Sequence, residues 1–148
     1  MRRSTRSFLF PDVNVWIALT YRAHKHHLVA KSWLDSLPDE VVLCFCRVTQ
    51  LGFLRLLTTP AVMQDQVRSQ AGAWAVYDDW LQDGRAEFVE EPPAVERVFR
   101  TLTQSGQAAP KDWADSYVSA FAQASGLKLV TFDQVLQRRT ANALLLEP

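Results

Sequence analysis

Three aspartates of this 148-residue chain stand at positions where a shared site is expected. Asp12 follows the apolar run Phe8–Pro11, and Asp133 follows the apolar run Leu129–Phe132. Each run is typical of a buried parallel strand that a helix follows. Because ligands of open α/β sheets bind outside the carboxyl ends of the strands, we predict that Asp12 and Asp133 meet at one sheet edge if their strands are neighbours.

Asp115 is the third carboxylate, in the first turn of a predicted helix that leads into the strand before Asp133. The start of such a helix points to the same sheet edge as the strand ends. Each aspartate alone would serve as a helix cap. Three carboxylates at one edge repel each other, and a single bound Mg²⁺ or Mn²⁺ would offset that repulsion. We therefore predict that Asp12, Asp115 and Asp133 bind a metal that activates water and neutralises charge on a phosphodiester.

Strands and helices alternate along the whole chain, which predicts a helix-covered parallel sheet in one domain, residues 1–148. The helix-rich segment between the second and third strands predicts an extra helical hairpin on one side. The predicted strands are Ser7–Pro11, Val41–Phe45, Ala86–Val89, Leu127–Phe132 and Ala143–Leu146. The predicted helices are Val13–Thr20, His27–Ser36, Arg47–Leu57, Gln64–Gln82, one from Pro92 to Gln104, one from Lys111 to Ser125, and a short one ending at Arg139.

Composition indicates a globular protein, because 48% of the residues are hydrophobic and the formal net charge is zero. A neutral chain gives no global argument for nucleic-acid binding, so such a surface would have to be local. Cys44 and Cys46 alternate on a buried strand and are too few for a zinc site, which predicts a reduced, cytoplasmic protein. No stretch approaches the length of a membrane span.

Three histidines, His24, His26 and His27, lie in a polar turn before the second helix. A metal site is one interpretation of this cluster, but no other ligand-type residue is near it in sequence. A contact with RNA phosphate is a better interpretation, and a solvated turn is better still.

Four short motifs resemble, in their order along the chain, those of PIN domains, and especially of VapC-type toxins from bacterial toxin–antitoxin pairs. They are FPDVNV at 10–15, VTQLGFLR at 48–55, WADSY at 113–117 and LVTFD at 129–133. The resemblance spans almost the whole chain. It implies a PIN-like three-layer α/β/α fold with a central, mostly parallel five-stranded sheet.

The same resemblance implies an endoribonuclease that cuts RNA with Mg²⁺ or Mn²⁺ and is held inactive by a cognate antitoxin protein. Carried across motif by motif, it makes Asp12, Asp115 and Asp133 the metal ligands. Asn14 becomes a polar group that supports the first aspartate, and Thr131 a hydroxyl neighbour of the site.

Gln50 departs from the family pattern, which usually has a glutamate at this catalytic position. A glutamine can ligate through its carbonyl oxygen or orient a water, but it adds no charge and cannot act as a base. Asp112, beside the predicted site, is a candidate for restoring the lost charge. Its alternative role is that of a helix N-terminal residue favoured by the helix dipole.

Two other functions compete with a ribonuclease toxin. Gln50 motivates a catalytically weakened PIN-like domain that binds RNA or a protein partner. The aspartate after the first strand also suits a phosphoryl-transfer or response-regulator domain, although no lysine follows a late strand as receiver domains require. The apolar segment Leu51–Leu57 further predicts a homodimer that uses faces of the third or fourth helix.

Overall fold

The computed structural model describes residues 6–148, so residues 1–5 of the predicted domain lie outside the described part. Five strands form one sheet in the order β3-β2-β1-β4-β5. All four pairings between them are parallel. The strands are β1 (Ser7–Pro11), β2 (Val41–Phe45), β3 (Ala86–Phe88), β4 (Lys128–Thr131) and β5 (Ala143–Leu145).

The strand order places β1 at the centre and makes β4 its neighbour. The chain builds outward from β1 through β2 to β3, then crosses to the other side for β4 and β5. Pro11 of β1 pairs with Val130 of β4, and the Asp12 N–H donates to the Val130 carbonyl at 2.8 Å. The point where the strand order reverses therefore lies between the ends of β1 and β4, which is where open α/β sheets bind ligands.

Helices cover both faces of the sheet, as the predicted three-layer architecture requires. One face buries a core that includes Trp16, Phe45 and Phe53, and the other buries Phe10 and Phe121. The helices are α1 (Val13–Thr20), α2 (His27–Ser36), α3 (Arg47–Leu57), α4 (Pro60–Met63), α5 (Gln70–Gln82), α6 (Val95–Leu102), α7 (Trp113–Ser125) and α8 (Gln134–Arg138).

The prediction of one helix over Gln64–Gln82 is wrong. Residues Gln64–Gln66 form a single 3₁₀ turn after α4, and α5 begins only at Gln70. The break arises because Ser69 caps α5, its hydroxyl accepting from the Gly72 N–H at 3.0 Å. The other predicted elements are present, with ends that differ by up to three residues.

Both cysteines are buried and unpaired, as the sequence predicts for core thiols. Burial raises the pKa of the Cys44 thiol to about 12, so it stays protonated and unreactive. No helix within residues 6–148 combines the length and the apolar content needed to cross a membrane.

Candidate active site

Asp12 both caps α1 and faces the strand next to it. It follows β1 directly, and its Oδ1 accepts from the Val13 N–H at 2.8 Å. Its Oδ2 accepts from the Thr131 hydroxyl at 3.0 Å. Asp12 therefore fills the capping role, and its second oxygen lies at the end of β4, where the sequence predicted the site.

A buried hydroxyl connects Asp12 with the end of β4. The Thr131 side chain is fully buried, and its Oγ1 accepts from Asn14 Nδ2 at 3.3 Å and from the Asp133 N–H at 3.0 Å. Because two donors point at this oxygen, its own proton goes to Asp12. Asn14 Oδ1 also accepts from the Phe132 N–H at 3.3 Å. Asn14 and Thr131 thus fix the relative position of the ends of β1 and β4.

Asp133 and Asp115 complete an acidic group with Asp12. Asp133 caps α8, its Oδ1 accepting from the Val135 N–H at 2.9 Å and the Leu136 N–H at 3.1 Å. Asp115 lies half-buried in the first turn of α7. No hydrogen bond to its carboxylate is formed within residues 6–148, so its oxygens are available to a ligand.

The pKa values of Asp12 and Asp115 respond to burial and to the neighbouring aspartate charges. Burial raises the pKa of Asp12, hydrogen bonds from Val13 and Thr131 oppose the rise, and the charges of Asp115 and Asp133 add to it. Burial also raises the pKa of Asp115, with the charge of Asp133 acting in the same direction and Arg139 opposing it. The structure therefore brings together the three carboxylates that the sequence predicted as metal ligands.

The donor types at this site fit a hard dication. Each carboxylate oxygen has two lone pairs, so the oxygens of Asp12 and Asp133 that accept protein hydrogen bonds can still ligate. Carboxylates are the ligands that Mg²⁺ and Mn²⁺ prefer. Across residues 6–148, no three His, Cys, Asp or Glu side chains already converge as a complete metal site. Sharing one ion would therefore require the carboxylates to move closer together.

Asp112 has a partner of its own. Arg139 Nη1 donates to its Oδ1 at 2.5 Å, and the Ser116 hydroxyl donates to its Oδ2 at 2.9 Å. These hydrogen bonds lower the pKa of Asp112 and keep it ionised. Arg139 offsets the charge that Asp112 was expected to lend to the site. Sequence reasoning missed this pair, since the two residues lie 27 positions apart and neither belongs to a motif.

Gln50 lies at the same sheet edge, because α3 begins directly after β2. Its side chain is buried, and its Oε1 accepts from Arg47 Nη1 at 2.6 Å. Burial raises the pKa of the Tyr77 phenol, and the neighbouring Gln50 side chain acts against that rise. Among the described residues, no hydrogen bond joins Gln50 to the three aspartates.

The three histidines of the turn do not group as ligands of one metal in the part of the chain that is described. The His24 Nδ1 accepts from the His26 N–H at 3.0 Å, which stabilises the turn. The His27 Nδ1 lies 2.7 Å from the Ala18 carbonyl and donates to it. The His26 ring stacks on that of Phe132, the residue before Asp133, with centroids 4.8 Å apart. This long-range contact has no signal in the sequence.

Comparison with known proteins defines the family to which this fold belongs. The PIN domain profile matches residues 9–142. The chain therefore belongs to the PIN-domain family, as the four motifs predicted.

Two curated relatives from Mycobacterium tuberculosis refine this assignment. Ribonuclease VapC41 is 38% identical over 129 residues, which cover 84% of this chain and 88% of the relative. Ribonuclease VapC44 is 28% identical over 125 residues, which cover 83% of this chain and 84% of the relative. The predicted resemblance to VapC-type proteins is confirmed.

Solved structures support the same fold. The M. tuberculosis VapC20 structure, described as a Sarcin-Ricin loop cleaving toxin, has a TM-score of 0.65 at 16% identity, covering 92% of this chain and 98% of that one. The structure of VapBC2 from Rickettsia felis, bound to a DNA fragment from its promoter, has a TM-score of 0.64 at 13% identity. The match covers 93% of this chain and 96% of that one. The predicted PIN-like α/β fold is confirmed.

Proposed function

We propose that this protein is a metal-dependent endoribonuclease toxin that cuts RNA phosphodiester bonds and is neutralised by a cognate antitoxin. The observation that carries the proposal is the acidic group of Asp12, Asp115 and Asp133 at the switch point of the sheet. The relatives named ribonucleases support RNA as the substrate.

Asp12, Asp115 and Asp133 would hold Mg²⁺ or Mn²⁺ in this proposal. When bound, such an ion lowers the pKa of a bound water and neutralises charge on a phosphodiester. Thr131 keeps one oxygen of Asp12 in place by donating to it, and Asn14 keeps Thr131 in place. Because both hold the β1 and β4 ends together, their role is to orient the ligands.

RNA cleavage by the purified chain tests this proposal. We expect cleavage of a structured RNA in Mg²⁺ or Mn²⁺, loss of cleavage on adding a chelator, and recovery when the ion is returned in excess. Cleavage that persists in chelator would contradict the metal-dependent mechanism.

An antitoxin that inhibits this site would bind a groove beside the acidic group. An arginine inserted among the aspartates would substitute for the cation, since guanidinium binds carboxylates in a bidentate manner. In a purified complex we expect weaker Mn²⁺ binding and less cleavage than in the free chain. A complex in which both are unchanged would contradict this form of inhibition.

A homodimer is also part of the proposal. Leu51 of α3 is 59% exposed and Trp74 of α5 is 47% exposed, which are high fractions for large apolar side chains. A groove between these helices is lined by apolar and polar side chains, those of Leu54, Arg55, Thr58, Gln70, Ala73 and Trp74. Such a surface suits contact with a second copy of the chain.

A second function is favoured by Gln50 alone. Its carbonyl oxygen accepts from Arg47, and its side chain brings no charge toward the acidic group. A PIN domain with weakened catalysis would then act by binding RNA or a protein partner. RNA binding with no cleavage at any Mn²⁺ concentration would support this function over the first.

A further inference from the structure

One face of α7 carries a row of polar side chains, which we call the α7 seam: Asp112, Ser116, Ser119 and Gln123. Their spacing of four, three and four places them on one side of the helix. Ser116 and Ser119 are fully buried, although most buried helix positions are apolar. A buried polar row needs partners, because an unpaired buried hydroxyl is costly.

The partners of the seam come from the residues directly after α8. Arg139 Nη2 donates to the Ser116 Oγ at 2.6 Å, and its Nη1 donates to Asp112 at 2.5 Å. The Thr140 hydroxyl lies 2.9 Å from the Ser119 Oγ. Arg139 is only 28% exposed in this pair, so its guanidinium is shielded from much of the screening that weakens surface ion pairs.

These contacts join the two helices that carry two of the three site carboxylates. Asp115 stands in the first turn of α7, between Asp112 and Ser116, and Asp133 caps the start of α8. Asp115 and Asp133 have like charges that repel each other, so something must hold their helices together. Within the described chain, Arg139 is the cation that lies at this junction and acts on Asp115.

We propose that Arg139 is a positioning residue that, through its contacts with Asp112 and Ser116, keeps Asp115 and Asp133 near enough to each other to close on a shared metal ion. This inference rests on the proposed function. It gives Asp112 a structural role, in place of the charge-restoring role that the sequence suggested.

Two effects of removing Arg139 have opposite signs, which makes the inference testable. Loss of a positive charge beside a cation site tightens Mn²⁺ binding if electrostatics alone matters. Loss of the Asp112 contact frees α7 from α8 and weakens Mn²⁺ binding if position matters. Residues that orient metal ligands typically contribute about 10–100-fold to metal affinity, so we expect position to dominate.

The experiment compares R139Q with R138Q by calorimetric titration of Mn²⁺ into the purified chain. Arg138 is exposed and one residue away, so R138Q removes the same charge without touching the seam. We expect R139Q to bind Mn²⁺ at least about tenfold more weakly than R138Q. R139K should fall between R139Q and wild type, because lysine keeps the charge but lacks the bidentate fork.

Cleavage assays give a second readout. We expect R139Q to need a higher Mn²⁺ concentration for half-maximal cleavage and to recover activity at saturating Mn²⁺. Its affinity for RNA should match that of R138Q. D112N should reproduce the weaker Mn²⁺ binding, and the R139Q/D112N double variant should lose little more than either single variant.

R139Q that binds Mn²⁺ as tightly as R138Q, or more tightly, overturns the inference while the proposed function stands. If R139Q fails to fold, R139K decides by the same criterion, because lysine keeps the charge and loses only the paired contacts. A wild type that neither binds Mn²⁺ nor cleaves RNA overturns the proposed function and this inference together.

Discussion

Burial raises the pKa of both Asp12 and Asp115. The two carboxylates differ in the hydrogen bonds that stabilise their ionised forms. Asp12 receives hydrogen bonds from Val13 and Thr131 that stabilise its ionised form. Asp115 receives none from residues 6–148. Without metal, burial and the charge of Asp133 therefore disfavour the ionised form of Asp115, and the charge of Arg139 opposes them.

The first prediction is a pH-dependent gain in stability from Asp115→Asn in the metal-free protein. An acid whose pKa is raised in the fold contributes stability that is present below its ordinary value of 3.8 and lost as pH rises through the folded value. Thermal melts of wild type and Asp115→Asn in chelator should therefore diverge as the pH rises above about 4, with the variant more stable at the higher pH. Asp39→Asn, at an exposed position, is the control. Equal melting temperatures for wild type and both variants at every pH would contradict a raised pKa for Asp115.

The second prediction concerns Gln50→Glu. A carboxylate at this position would accept from Arg47, whose Nη1 already lies 2.6 Å from Oε1, so its charge would be offset. We expect Gln50→Glu to change Mn²⁺ affinity by less than about threefold, but to tighten it by about tenfold in an Arg47→Gln background, about 1.4 kcal/mol. Calorimetry on this double-mutant cycle measures both values. Unchanged affinity in both backgrounds would place Gln50 beyond the reach of the metal.

At the scale of elements, the sequence predicts best what is encoded locally. The runs that form β1 and β4 are short and apolar, and each is followed by an aspartate. The direction of each strand, and the sheet edge at which its aspartate lies, therefore follow from a few residues. The break before α5 was missed because the residues around Ser69 are polar, and polar residues also suit the exposed face of a longer helix. The Arg139–Asp112 pair was missed because it depends on where the end of α8 lies relative to the start of α7, which no local pattern encodes.

The third prediction tests the packing of α3 against α1 beside Asp12. A Cβ added at Gly52 would lie 2.8 Å from Val13 Cγ2, and Val13 follows Asp12 directly. Removing a helical glycine stabilises by roughly 0.5–1 kcal/mol, whereas overpacking typically costs about 1–3 kcal/mol. We therefore expect Gly52→Ala to lower the free energy of unfolding by about 1 kcal/mol in denaturant titrations. Gly106→Ala, where nothing lies within 4 Å, is the control, and a stabilised Gly52→Ala would show that α3 adjusts freely.

At the scale of the whole molecule, the fourth prediction is a homodimer that uses the exposed surface of α3 and α5. Leu51→Glu places a charge on that surface and should shift the protein to a monomer in analytical ultracentrifugation at micromolar concentration. Leu28→Glu is the matched control, since Leu28 is 81% exposed on α2 and should leave the dimer intact. A wild type that is monomeric under these conditions would contradict the prediction.

The central claim is that the three aspartates at the switch point of the sheet form a metal-dependent ribonuclease centre. The most direct test is RNA cleavage by wild type, Asp12→Asn, Asp115→Asn and the control Asp39→Asn across a Mn²⁺ titration, with thermal melts on the same samples. We predict that the two site variants stay folded and lose more than about a hundredfold in rate at every Mn²⁺ concentration, beyond the usual effect of a residue that only orients a ligand. Asp39→Asn should cleave like wild type. Full cleavage by Asp115→Asn or Asp12→Asn would contradict the claim, because a centre that works without one of these carboxylates is not the one described.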